Sequence, residues 1–381
     1  MSVRITAIEP YVVDVEVRNL VFVHVQTDEG LDGFGEASLP GHPLAVAAAV
    51  RECADWVIGE NPARIQHLWQ VMYRRPFFRG GPVQMSAISG IEQALWDIKG
   101  KAAGLPVYEL LGGACRERAK LYANGPGGET PEEVAESGRA LRELGFTAMK
   151  LGGAGPFLPV EGEAAIRRAA RVVSALRDAL GDDAEIAYDA HGRPSPAMGI
   201  RLARALEEYG IWFLEEPAPP ESADGLAAVA RATRIPIAAG ERLLTKWGFR
   251  PLLEADAASL VQPDTAHCGG ILEARLIAAM AEAHHAGLAP HNPLGPVNTV
   301  ASAHLALAAP NFVALEILVG YYPDWTRELA REPPRIADGF LELGRKPGLG
   351  IELDLELCRA HPYQPRPLPL LSYPDGAVAD W

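Results

Sequence analysis

Glu185-Ile186-Ala187-Tyr188-Asp189, then Ile211-Trp212-Phe213-Leu214-Glu215, then Ile235-Pro236-Ile237-Ala238-Ala239-Gly240-Glu241 decide how this chain folds. Each is a short apolar run that closes on an acid. Such a run suits a buried strand and is too short for a helix. Stretches with helical spacing, 161–180 and 195–209, lie before and between them. Comparable runs recur at 147–151, 259–261, 287–289 and 312–315, with another helical stretch at 271–285. Buried runs alternating with helices predict βαβ units on a parallel sheet. Seven or eight such units within about 200 residues predict a closed (β/α) barrel rather than an open sheet.

The polar residues are placed as regularly as the strands. Asp189, Glu215, Glu241, Asp264, His291 and Glu316 each stand just past an apolar run, and they fall 26, 26, 23, 27 and 25 residues apart. One βα unit is about that long, so all six are expected on the carboxyl-terminal rim, where barrel active sites sit. Asp189, Glu215 and Glu241 offer hard oxygen ligands on successive strands. That donor set suits Mg²⁺, with Mn²⁺ as the alternative, and leaves positions for water and substrate. No cysteine or histidine is needed, as zinc would prefer. A single strand-end acid is as easily a helix cap or a solvated charge. Three in register are better read as one metal site.

Two histidines flank this cluster. His191 lies two residues after Asp189, and in an extended segment both side chains would point the same way. It would then reach a substrate held at the metal. His291 is one unit beyond Asp264, and a carboxylate beside an imidazole fixes its tautomer and raises its basicity, which suits a general base. Lys150, ending the run 147–151, can offer a fixed positive charge to a substrate carboxylate. Otherwise it is an exposed rim lysine. His284 and His285, late in a helical stretch, are expected at the surface, and His267 has no assigned role.

Outward from the barrel the rhythm changes. Residues 3–16 and 20–37 read as strands, with turns at Asp28-Glu29-Gly30 and Asp32-Gly33, and 43–59, 61–75 and 84–103 read as helices. They predict an N-terminal α+β cap over 1–121, a barrel over 122–319, and a C-terminal segment, 320–381, that returns to the cap through 335–355. With 48% hydrophobic and 22% charged residues, the 381-residue chain can bury a large core. Its net charge of −14 argues against nucleic acid and anionic membrane as partners. Cys53, Cys115, Cys268 and Cys358 lack metal-site spacing and are expected to be reduced. No apolar leader or membrane-length stretch is present, so a cytoplasmic protein is expected. A homo-oligomer is expected too, and the Trp-, Tyr- and Pro-rich C-terminus would serve its interface or pack on the barrel.

The motifs Tyr188-Asp189-Ala190-His191-Gly192-Arg193, Phe213-Leu214-Glu215-Glu216-Pro217, Ala239-Gly240-Glu241-Arg242, Gln262-Pro263-Asp264 with Gly269-Gly270, and Ala289-Pro290-His291-Asn292-Pro293 resemble the enolase superfamily, in its mandelate racemase and muconate lactonizing branch. Segments 68–74, 78–82 and 94–101, with the Asp-x-His-Gly-Arg run, look most like the galactonate dehydratase group. The resemblance covers nearly the whole chain. It implies an N-terminal α+β cap over a modified (β/α)₇β barrel. It implies that Asp189, Glu215 and Glu241 hold Mg²⁺, with Glu215 rather than Glu216 as the ligand.

The reaction it implies begins on a sugar acid whose carboxylate the metal binds. His291, assisted by Asp264, removes the C2 proton. Glu316, carrying a proton, hydrogen-bonds the enediolate. His191 acts as general acid on the departing 3-hydroxyl, and a 2-keto-3-deoxy acid results.

Racemases of this branch carry Lys-x-Lys where this chain has Lys150-Leu151-Gly152, so their second base is missing. That favours elimination over racemisation. The galactonate group tends to have a polar residue in place of Gly152, so the particular sugar acid stays open. Loop 152–160, Arg18 and 76–82 are expected to form the substrate-selective wall. An epimerase or cycloisomerase of the same branch, and a non-catalytic binding barrel, remain the alternatives.

Overall fold

The structure, a computed structural model, describes residues 3–152 and 155–380. A first unit pairs three antiparallel strands, β1 (Ile5–Asp14), β2 (Asn19–Thr27) and β3 (Asp32–Glu36), with helices α1 (Pro43–Val57), α2 (Ile65–Arg74), α3 (Pro82–Ala103) and the short α4 (Val107–Leu110). The stretch 20–37 is two strands joined by the expected turn at Asp28-Glu29-Gly30. Asp32-Gly33, read as a turn, belongs to β3. The reason is packing: a Cβ on Gly35 would stand 1.8 Å from the Gly90 carbonyl of α3, so glycine lets strand and helix touch. Most of α3 is buried, because it lies between this sheet and the second unit.

That second unit runs β4 (Ala119–Asn124), α5 (Pro131–Glu143), β5 (Ala148–Leu151), α6 (Glu163–Leu180), β6 (Glu185–Asp189), α7 (Pro196–Leu206), β7 (Leu214–Glu215), α8 (Ala223–Ala232), β8 (Ile237–Ala239), α9 (Thr245–Glu254), β9 (Leu260–Val261), α10 (Ile271–Ala283), β10 (Gly287–Leu288), α11 (Pro296–Ala308) and β11 (Leu315–Leu318). Neighbouring strands from β4 to β10 are parallel, and β11 pairs with β4. A parallel bridge from Leu288 to Phe312 closes the ring between β10 and the approach to β11. Seven helices follow the first seven strands and none follows the eighth, which is the (β/α)₇β order. A boundary at Leu121 falls inside β4. That strand ends on an amide, Asn124, so no rim acid marks it.

Tyr122, Ala148, Ala187, Phe213, Ala238, Leu260, Ala289 and Ala314, one from each strand run, pack together inside the barrel. Five alanines among them make room for the two aromatic rings. Side chains two residues further along a strand share its inner face. Those positions are Asn124, Lys150, Asp189, Glu215, Gly240, Gln262, His291 and Glu316. The polar rim is therefore the next interior layer above an apolar plug.

The C-terminal segment has two destinations. A hairpin of β13 (Arg335–Ala337) and β14 (Phe340–Glu342), entered from β12 (Ala330–Arg331), adds to the start of β4 and so extends the barrel sheet. The return to the cap expected through 335–355 is made by the last part of that range. β15 (Glu352–Leu353) pairs with β12, and Leu349, Ile351, Leu353 and Cys358 of the following α12 (Leu355–Ala360) and its approach enter the cap's core. All four cysteines are free. No helix is long and apolar enough to cross a membrane among the described residues.

Candidate active site

Asp189 and Glu215 end β6 and β7, and Glu241 follows β8 by two residues. Their carboxylate oxygens lie within 4.8 Å of one another, the first two buried and the third partly exposed. Burial and the neighbouring Asp189 push Glu215 well above the usual carboxylate range. The cluster thus holds more negative charge than its surroundings settle, and its donors are all hard oxygens. A divalent hard cation fits both features.

Glu215 and Glu216 point to different surroundings. Glu215 accepts from Lys150 Nζ at 2.7 Å and from Gln262 Nε2 at 2.7 Å inside the barrel. Glu216 is turned outward by a positive φ of 38° and pairs with Arg242 through Nε at 3.0 Å. Burial, then Glu241, raises Glu216 to about 8.

Lys150 is no rim lysine. It is 1% exposed, with Nζ 2.7 Å from Glu215, 2.9 Å from Glu316 and 3.3 Å from Asp189. Burial alone would lower it, but these carboxylates outweigh burial and hold it well above its ordinary value.

Glu316 departs from the sequence expectation. Burial would raise it, yet Lys150 and His291 hold it below the usual carboxylate range. Asn124 Nδ2 donates to Oε1 at 2.7 Å and the Asn292 N–H donates to Oε2 at 3.1 Å. A carboxylate surrounded by donors accepts and is ionised. The expected proton on Glu316 is therefore withdrawn.

The two histidines lie against different acids of the cluster. His291 Nδ1 lies 2.8 Å from Asp264 Oδ2, and Nε2 lies 3.3 Å from Glu241. Burial would lower His291, but Glu241, Glu316 and Asp264 outweigh it and raise the imidazole to about 10. His191 Nε2 sits 3.1 Å from Asp189, and Arg193 Nη2 is 3.1 Å from Nδ1. Its path there is not the extended one expected. His191 has φ 52° and Gly192 φ 63°, so a left-handed turn folds the ring back while its N–H donates to Asp189 Oδ1 at 2.8 Å. His284 and His285 are exposed. His267 is buried with Nδ1 2.8 Å from Ser86 Oγ of the cap.

Asn124 and Gln262 were not named as candidates from sequence. Both sit two residues past a barrel-plug residue, the same rule that finds Asp189. The search there was for charge, and amides carry none. Of the expected wall, Gly153 and Ala154 lie outside the described residues. Arg18 donates at 3.1 Å to the carbonyl of Pro293, two residues along the chain from His291, and lies over the Tyr321 ring. Phe77 and Phe78 of the 76–82 segment are 86% and 90% exposed.

A capped barrel whose mouth holds three acids and two histidines has the parts for metal-assisted acid–base chemistry. The comparisons make it specific. Residues 3–112 match the mandelate racemase/muconate lactonizing enzyme N-terminal domain, and residues 132–357 match the enolase C-terminal domain-like family. The chain belongs to the mandelate racemase/muconate lactonizing enzyme family of the enolase superfamily.

A protein of Pectobacterium atrosepticum named D-galactonate dehydratase is 42% identical over 95% of this chain and 96% of its own. One of Cronobacter sakazakii with the same name is 41% identical over the same shares. A solved mandelate racemase/muconate lactonizing enzyme from a Sulfitobacter species superposes with TM-score 0.92 at 35% identity, covering 100% of both chains. An enolase-superfamily member from Salmonella Typhimurium gives 0.89 at 31% identity, over 94% of this chain and 98% of its own.

Proposed function

We propose that this protein is a Mg²⁺-dependent aldonate dehydratase acting on D-galactonate or a close relative. The observation that carries the reading is the placement of two imidazoles at one carboxylate cluster, His191 against Asp189 and His291 against Glu241. The relatives named D-galactonate dehydratase support the substrate class.

Asp189, Glu215 and Glu241 would hold the cation. Bound there, it supplies positive charge that acidifies the C2 proton of a substrate carboxylate and offsets the acids that raise His291.

Asp264 keeps the proton of His291 on Nδ1 and leaves Nε2 free to accept. Nε2 takes the C2 proton. The electron pair left behind spreads into the carboxylate, then forms the C2–C3 double bond as the C3–O bond breaks. His191 gives the leaving hydroxyl its proton and water departs. The enol that remains tautomerises to the 2-keto-3-deoxy acid. Glu316, ionised, orients Lys150 and the Asn292 backbone rather than donating to substrate.

A racemase needs a second base on the opposite face. Lys150 is engaged by three carboxylates, and Gly152 two residues on has no side chain. Elimination therefore fits this rim better than epimerisation. The test is a panel of C5 and C6 aldonates with Mg²⁺, read as semicarbazones. Galactonate is expected to give a 2-keto-3-deoxy acid, and no product from any aldonate refutes the reading.

A further inference from the structure

The general base is not assembled by the barrel alone. Asp264 has two oxygens with separate duties. Oδ2 faces His291 Nδ1, while Oδ1 accepts from the Ala266 N–H at 2.8 Å and from Asn298 Nδ2 at 3.1 Å. Asn298 lies in the first turn of α11 and is fully buried.

The orientation of its amide is set from both sides. Nδ2 donates to two acceptors, Asp264 Oδ1 and Asn292 Oδ1, each at 3.1 Å. Oδ1 accepts from two donors, Thr265 Oγ1 at 2.5 Å and Gln93 Nε2 at 3.3 Å. A flipped amide would set like against like at Asp264, Asn292 and Gln93, and only the Thr265 hydroxyl could turn to suit it. Gln93 belongs to α3 of the cap. Its Oε1 accepts from the Glu36 N–H at 2.9 Å, and its Nε2 also donates to the Thr265 carbonyl at 2.9 Å. The Asn298 N–H in turn donates to Glu36 Oε2 at 2.9 Å, so two cap residues grip the start of α11.

We propose that Asn298, oriented by Gln93 of the cap, is a positioning residue for the His291–Asp264 pair. The base would then be aimed only when cap and barrel are docked. Among the described residues the hydrogen bonds of Asn298 outside its own helix go to Gln93, Thr265, Glu36, Asp264 and Asn292, and none goes to the three carboxylates of the cluster. It acts through Asp264, whose plane it fixes, and through Asn292, which holds Glu316. A displacement of about 1 Å in a reacting group costs on the order of 100-fold in rate. This inference rests on the dehydratase reading for its kinetics and not for its spectroscopy.

The test compares Asn298→Leu, which keeps the branched outline and removes both polar amide atoms, with Gln93→Leu and with Glu92→Gln. The last alters a cap carboxylate that caps α10 and does not touch this relay. Two readouts are taken on the Mg²⁺-supplemented full chain. One is kcat and KM on the aldonate that the wild type turns over, with hydrogen or deuterium at C2. The other is the downfield ring proton on His291 Nδ1, assigned by its loss in His291→Asn.

Asn298→Leu is expected to lower kcat by about 100-fold with KM within about threefold, to raise the C2 isotope effect, and to lose the ring proton. Gln93→Leu should move the same quantities less, and Glu92→Gln should move melting temperature alone. Wild-type kcat, isotope effect and ring proton in Asn298→Leu overturn the proposal. So does a loss of melting temperature with the ring proton retained. If Asn298→Leu does not fold, Gln93→Leu decides by the same readouts. If the wild type turns over no aldonate, the dehydratase reading fails, and the ring proton alone decides this inference.

Discussion

Lys150 carries one positive charge into a buried pocket with three carboxylates. Removing one partner of a buried ion cluster leaves the others desolvated and unpaired, which costs about 3–5 kcal/mol. Lys150→Met is therefore expected to lose about that much stability without divalent ions. Mg²⁺ should recover more stability in the variant than in the wild type, because the cation takes over part of the lysine's charge. Urea unfolding with and without Mg²⁺ measures both effects. Equal stability of Lys150→Met and wild type would remove the ion cluster as a source of stability.

Sequence offered Lys150 as a fixed charge for a substrate carboxylate, or else as an exposed rim lysine, and the structure buries it among three acids. A strand register tells which face a side chain takes. It does not tell whether neighbouring strands bring it three acids. Glu316 makes the same point in reverse. Its chain position was readable, while its protonation depends on Asn124 and Lys150, contributed by β4 and β5 far away in sequence.

Helix α11 joins the site to the far side of the cap. Its first turn carries Asn298 and its later part carries His304, 1% exposed. The Tyr108 N–H donates to His304 Nδ1 at 3.2 Å, and Nε2 donates to the Leu349 carbonyl at 3.1 Å. A neutral ring satisfies both contacts, and a charged ring would set a donor against Tyr108. Burial lowers His304 to about 4 from 6.5. The folded value lies below the unfolded one, so the contribution is full above pH 6.5 and is lost as pH falls toward 4. The loss amounts to about 3 kcal/mol. Urea midpoints should fall more steeply between pH 6.5 and 4 in the wild type than in His304→Gln. Parallel slopes would show that His304 titrates freely.

At this scale the strands were the most legible elements, since each barrel strand is a short apolar run bounded by loops. β4 was cut at Leu121, and a second turn was placed at Asp32-Gly33, inside β3. Those errors share a cause. The hydrophobic pattern marks what is buried, and hydrogen-bond partners decide where a strand starts and stops. The 335–342 hairpin looked bound for the cap by its place in the chain, yet pairs with the barrel through β4.

The whole molecule places a cap against the mouth of an acidic barrel, and the cluster of Asp189, Glu215 and Glu241 is expected to need its counter-charge to work. Dialysis against EDTA should abolish dehydratase activity, and Mg²⁺ should restore it. Saturating cation should also raise stability, by about 2.7 kcal/mol at a hundredfold excess over Kd. Calorimetry with graded Mg²⁺ follows this rise. A melting temperature insensitive to Mg²⁺ and full activity in EDTA would dismiss the metal site.

Sequence by itself determined the barrel, its cap and the rim residues Asp189, Glu215, Glu241, Asp264, His291 and Glu316. It could do so because burial and period-2 alternation are local, and a βα unit repeats at nearly constant length. Only the tertiary structure decided the charge state of Glu316, the burial of Lys150, the left-handed turn that brings His191 back to Asp189, and the Gln93–Asn298 link from cap to base. Each of these depends on groups from distant parts of the chain meeting at hydrogen-bond distance in a low-dielectric interior. No single stretch of sequence contains that information.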